Sequence, residues 1–247
     1  MGEVGGVPAQ PSGHPRRGVG RVHRAPPGGG THVSDALARA RAALRAGAAV
    51  VLPNPYPLTS VVTARVPAVV NEAKGRPATQ SVALWLTDDE RWTEFTELTD
   101  VDERTRSLMH RLLVAERVTL LVPLRECPKW AESATRDGKA LVFAARWSRL
   151  APVLTGVGRL HVSSANRTGH APCGSPEQAR KTFPEKVHVL DMDDGRPADG
   201  RSATTTLELR HDGSVSHVRT GAQDRAHGGP AAYLTYLART YGVRGCR

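Results

Sequence analysis

The segment NEAKGRP, residues 71–77, closes an apolar run with two cations, Lys74 and Arg76, set either side of Gly75 and stopped by Pro77. A lysine supplies a point charge and an arginine a planar fork of donors, a pairing suited to phosphates and carboxylates. Two readings are open from the segment alone. The cations complement the dipole at a helix C-terminus and face water, or they form half of a polyphosphate clamp whose other half lies about a hundred residues further on.

Four other short features bear on that choice. Thr119 sits in the strand-like run VTLLVP, residues 118–123, where threonine is also an ordinary β-former. SSANRTG, residues 163–169, places two hydroxyls (Ser163 and Ser164), the amide of Asn166 and Gly169 after a strand, a turn able to present donors to an anion. TTTLEL, residues 204–209, begins a strand at Thr204, and in VRTGA, residues 218–222, Arg219 leaves a strand just before a glycine. Walker-type, dinucleotide-binding, zinc-protease and serine-hydrolase signatures are absent. The 10 histidines are scattered without metal-ligand spacing, so each is expected to be a satisfied or solvated side chain.

The order and spacing of these five segments resemble the YrdC-like family, whose core enzyme is threonylcarbamoyl-AMP synthase. Its members carry, in sequence, a Pro-Thr-acid loop after the first strand, KGRP, a VTLVLP-like strand, SANxSG, an STV-like strand start and RxGA. The resemblance covers residues 35–222 and implies a single α/β domain, a twisted mixed sheet with helices and an open basic concave face. It implies synthesis of a carbamoyl-type adenylate from ATP, bicarbonate and L-threonine or another amine, with Mg²⁺ accompanying ATP and pyrophosphate leaving. The adenylate would serve tRNA modification or a downstream carbamoyl-transfer partner. By the same resemblance Lys74 and Arg76 hold triphosphate and carboxylate or carbamate, Ser164 and Asn166 bind phosphate and nucleotide, and Thr119, Thr204 and Arg219 complete the nucleotide site. Two alternatives stand beside this: a non-catalytic RNA-binding module of the same fold, and a carbamoyltransferase component acting with a partner.

The chain departs from the family at three places. NPYPLTS, residues 54–60, replaces the PT(D/E)TVYGL-like loop, putting Asn54, Tyr56 and Thr59 in the amine pocket that the family's loop shapes. Glu116 and Arg117 replace a compact turn before Val118. The arginine of the family's VRVP falls on Ala144, and Arg146, two residues on, is the expected substitute because i and i+2 share a strand face.

Composition sets the frame. At 247 residues and 39% hydrophobic content, one sizeable domain with tails is expected. The net charge of +10 favours polyanionic partners. Residues 1–33 carry Arg16, Arg17, Arg21 and Arg24 against Glu3, and residues 222–247 carry Arg225, Arg239, Arg244 and Arg247 against Asp224, so much of the excess lies at the ends. Residues 1–33 are rich in Gly, Pro and Arg and are expected to be a disordered tail, with order from Ser34 and a helical extension over 223–247. Cys127, Cys173 and Cys246 form no paired framework, which fits a reducing cytoplasm. No apolar run approaches the roughly 20 residues of a membrane span, and no secretory signal is read, so neither membrane nor export is expected.

Overall fold

The computed structural model describes Gly2, residues 29–192 and residues 194–245. The expected tail over 1–33 therefore lies mostly outside the described residues, but its last five belong to α1, Gly29–Arg45. The helix thus begins before Ser34, the cap expected from sequence. It ends at Arg45, and the chain turns away at Gly47, whose φ of 85° is the left-handed conformation a glycine accepts without strain.

Among the described residues eleven strands form one mixed sheet: β1 (Val50–Leu52), β2 (Val61–Ala64), β3 (Ala83–Trp85), β4 (Thr119–Pro123), β5 (Thr135–Arg136), β6 (Lys139–Phe143), β7 (Leu160–Ser164), β8 (His188–Val189), β9 (Thr206–Leu209), β10 (Ser214–Arg219) and β11 (Arg244–Gly245). Their order is β11-β10-β9-β4-β6-β3-β7-β2-β1-β8, with β5 paired to β6. The remaining helices are α2 (Pro67–Ala73), α3 (Asp89–Leu98), α4 (Glu103–His110), α5 (Ala151–Leu154), α6 (Pro176–Thr182), α7 (Ala222–Ala226) and α8 (Pro230–Tyr241). Strand alternation sends neighbours to opposite cores. Val61, Phe143 and Val162 join the cluster beneath α1 and α5. Val62 joins a second cluster with α2 and α6, and Val142 a third with α4 and α8.

The charged stretch 88–114 holds two helices, α3 and α4. Asp88 caps α3 by accepting from the Arg91 amide, Asp102 caps α4 by accepting from the Thr105 amide, and a π turn, Arg111–Ala115, follows. Strand β2 is an element the sequence reading did not anticipate. Among the described residues no helix is long and apolar enough to cross a membrane.

The segment beyond Ala222 is built into the body. Tyr233 and Leu237 of α8 are fully buried, and β11 pairs in parallel with β10. Glu116 explains the docking. Its carboxylate accepts hydrogen bonds from the phenols of Tyr233 (3.1 Å), Tyr236 (3.1 Å) and Tyr241 (2.6 Å). Arg117 takes φ 58°, and the Gln223 amide donates to the carbonyls of Glu116 (3.1 Å) and Arg117 (2.9 Å), fixing that uncommon turn.

Glu116→Ala removes one acceptor from three phenols, two of them only partly exposed and one buried. It is expected to lower stability by about 2–3 kcal/mol, read as a lower urea midpoint. Burial and the Glu116 carboxylate also push the Tyr233 and Tyr241 phenols up. Their protonated forms are favoured by folding, so this stability is complete below about pH 10 and declines as pH rises further. A flat alkaline stability profile would contradict the cluster.

Candidate functional site

Helix α2 ends at Lys74, and Gly75 turns the chain at φ 65°, a conformation disfavoured for other residues. A Cβ at Gly75 would also sit 2.7 Å from the Arg167 guanidinium. The turn lets Lys74 and Arg76 point apart from one backbone position. Lys74 is 3% exposed, and its Nζ donates to the Ser164 carbonyl (2.5 Å) and to Asn166 Oδ1 (2.9 Å). The bonds join segments 90 and 92 residues apart. Arg76 Nε donates to Asn71 Oδ1 (2.5 Å), while Asn71 Nδ2 donates to the carbonyls of Ala78 (2.8 Å) and Gln80 (2.7 Å). Buried Asn71 thus props the whole turn. It stands within the opening segment, yet nothing in its spacing announced the role.

A cavity of about 260 Å³ opens beside this turn. Its floor is the α1 face of adjacent strands, with Val61, Ala83, Leu141, Phe143 and Val162. Asn54, Thr59, Arg76, Thr119, Ser164, Thr204 and Arg219 also line it. Seven residues singled out in the sequence therefore meet in one place. Thr119 Oγ1 and Thr204 Oγ1 lie 2.6 Å apart, and Arg219 Nη2 donates to the Thr204 carbonyl (3.3 Å). Among the described residues that line the cavity, none is an aspartate or glutamate. A larger groove of about 460 Å³, bordered by Arg104, Arg111, Asp212 and Arg244, gathers none of the expected residues.

Arg219 is aimed by a bulge. The β9–β10 register shifts between His217 and Arg219. Gly221 then packs so closely that a Cβ would lie 2.1 Å from the Thr205 amide nitrogen. Fully buried Asp224 secures this corner, accepting from Thr205 Oγ1 (3.1 Å), the Gly221 amide (3.1 Å) and His217 Nε2 (2.7 Å). A carboxylate only accepts, so Nε2 carries the hydrogen. Sequence reading missed Asp224 and His217, which no local motif links.

Electrostatics are dominated by three converging cations. Burial drives the Lys74 ammonium down to about 7, and the nearby charges of Arg76 and Arg219 add to the effect. Arg76 and Arg219 are themselves lowered by desolvation. His161, beside the SSAN turn, is lowered to about 4 by burial and is a neutral sheet residue.

Three expectations change. Asn166 Oδ1 accepts from Lys74 and from Ser164 Oγ (2.6 Å), and Nδ2 donates to the carbonyls of Arg167 and His170 (both 2.9 Å). Its amide is engaged by the protein, and Asn166 and the Lys74 it holds both stand just outside the cavity lining. Arg146 does not line the cavity. β6 ends at Phe143, the i, i+2 argument lapses, and Arg146 Nη1 instead pairs with Asp89 at 2.7 Å. Tyr56 is 44% exposed and lies outside the lining, its ring against the Arg201 guanidinium at 5.5 Å.

The sequence profile of the family described as Telomere recombination, the Sua5, YciO and YrdC proteins, matches residues 42–221. The chain belongs to the Sua5/YciO/YrdC family. No curated protein matches it in sequence. Among solved structures, P. abyssi Sua5 complexed with L-threonine is similar with a TM-score of 0.64 and 16% identity, over 87% of this chain and 59% of that one. E. coli YciO gives 0.57 and 16%, over 75% and 88%. Full-length HypF in its phosphate- and nucleotide-bound form gives 0.58 and 17%, over 75% and 29%. At these identities the likeness carries the fold alone. This member of the family spans about three fifths of the P. abyssi Sua5 chain.

Ligand binding at this site is expected to take up a proton. Near pH 8 the Lys74 amine is largely neutral, and an anion in the cavity restores its charge. Inorganic triphosphate should therefore bind more tightly as pH falls from 8.5 towards 7, with calorimetric proton uptake that Lys74→Met abolishes. Affinity unchanged over that range would contradict the assignment.

Proposed function

We propose that the protein condenses ATP, bicarbonate and an amine into a carbamoyl-type adenylate, with L-threonine as the parent amine. The observation that carries this reading is a cavity lined by Arg76 and Arg219 and by no carboxylate, with the buried Lys74 ammonium behind it within reach of both charges. Like charges facing one space are costly until an anion offsets them. Family membership selects the chemistry. The P. abyssi relative complexed with L-threonine and the nucleotide-bound HypF support amine and nucleotide as ligands.

The amine adds to bicarbonate with loss of water to give a carbamate. A carbamate oxygen then attacks the α-phosphorus of ATP, the bond to the bridging oxygen breaks, and pyrophosphate departs. The cations screen the triphosphate and the developing charge, and positioning supplies most of the acceleration. No protein nucleophile is required. The lining offers guanidinium, hydroxyl and amide groups, so Mg²⁺ would arrive on the triphosphate with waters in its shell. The adenylate would pass to tRNA modification or to a downstream carbamoyl-transfer partner.

The test incubates the protein with ATP, Mg²⁺, bicarbonate and a panel of amino acids and measures pyrophosphate. Release with threonine supports the parent activity, and release only with another amine supports a specialised one. Arg76→Ala is expected to cut turnover about 100-fold or more. Silence with every amine, alongside salt-sensitive RNA binding, would overturn adenylate synthesis in favour of an RNA-binding module.

A further inference from the structure

The loop 54–60 contains two prolines and makes no strand pairing beyond one bridge, Leu58 to Ser202. Its shape is imposed from outside. Arg201 is 5% exposed in its side chain and pairs with Asp194, itself 12% exposed. Arg201 Nη1 donates to the carbonyls of Asn54 (3.1 Å) and Leu58 (2.9 Å), and Nε donates to the Pro197 carbonyl (3.0 Å). Asp194 Oδ2 accepts from the Tyr56 amide at 2.5 Å. One guanidinium therefore ties both ends of the loop to a segment that continues into Ala203 and Thr204 on the cavity wall.

The wall so held is uncharged. It presents Asn54, whose Nδ2 donates to the Thr59 carbonyl (3.0 Å), with Leu58 and Thr59 above Val61. Phosphates belong with the three cations. The uncharged wall suits the part of the ligand that carries no phosphate. Resting on the adenylate reading above, we propose that Arg201, oriented by Asp194, is a positioning residue that fixes the 54–59 wall and thereby sets which amine the cavity accepts.

The experiment measures pyrophosphate release by the full chain against the same amine panel, for wild type, Arg201→Lys and Asp194→Asn. Lysine keeps the charge but loses the planar fork that reaches two carbonyls and a carboxylate. Each variant is expected to raise KM for the preferred amine about tenfold or more and to narrow the preference among amines. KM for ATP and kcat should stay within about twofold. The double variant should be no worse than the more impaired single one, because both substitutions break one unit. A purely structural role predicts kcat falling in step with the folded fraction at unchanged amine KM, and that result overturns the proposal. Should Arg201→Lys fail to fold, Asp194→Asn alone decides by the same split. Wild-type turnover with unaltered selectivity in the variants sinks only this inference, whereas silence of the wild type with every amine sinks the adenylate reading and this inference with it.

Discussion

A lysine ammonium taken out of water beside two guanidiniums is the constraint on which this molecule turns. Lys74 is nearly inaccessible, and its proton affinity has dropped from the ordinary 10.5 to about 7. At 1.36 kcal/mol per pKa unit, that is on the order of 5 kcal/mol of preference for the neutral amine. The protein limits the cost with the Ser164 carbonyl and Asn166 Oδ1, both acceptors, and brings no carboxylate to Lys74. A carboxylate there would relieve the strain permanently and remove the incentive to bind an anion. On the proposed reading, a site that accepts two weak partners instead of one strong one is left avid for a negatively charged ligand.

The sheet is what makes the convergence possible. The cavity floor runs across β4, β6, β3, β7 and β2, five adjacent strands whose chain order is thoroughly permuted. Val61 faces Ser164 in the β2–β7 register, and Thr119 faces Thr206 in the β4–β9 register. Each motif thus lies at or near a strand end on one edge of the cavity, and pairing rather than local sequence fixes their separation. The turns are tied directly as well. The Ala165 amide donates to the Ser60 carbonyl, the Ser60 amide to the Cys173 carbonyl and the Cys173 amide to the Ala165 carbonyl. The 163–169 turn and the 54–60 loop therefore share one hydrogen-bonded knot and cannot shift independently.

This division explains what the sequence could and could not disclose. Lys74, Arg76, Ser164, Thr119, Thr204 and Arg219 were legible because each belongs to a short motif whose order survives. A helix C-terminus at Lys74 was one of the two readings that the opening segment left open, and α2 ends there. Arg146 was misplaced because a period-two argument holds only while the strand lasts, and β6 stops three residues earlier. The bond from Lys74 to Asn166 was not legible, because an amide's partners are not encoded in its neighbours. Glu116 with its three tyrosines, Asp224 with His217, and Arg201 with the 54–60 loop were invisible for the same reason. Each joins segments that only the folded chain brings together, and the separation reaches 147 residues for Arg201 and Asn54.

Two of the three departures from the family pattern are compensated within the fold. Where a compact turn is usual, Glu116 and Arg117 carry a docked helix, with Gln223 bracing the turn and three phenols on the carboxylate. Where a Pro-Thr-acid loop is usual, two prolines are disciplined by a buried Arg201–Asp194 pair. Such a pair contributes little net stability against apolar packing and becomes a liability when one partner is lost. It is better suited to fixing a shape than to holding a fold together. A chain that had merely shed its ligand would gain stability by dispersing Lys74, Arg76 and Arg219, and would need no rigid wall opposite them. Retention of the charge cluster, together with a firmly held wall facing it, is what the proposed reading requires, in which the anionic ligand is kept and the second ligand has changed.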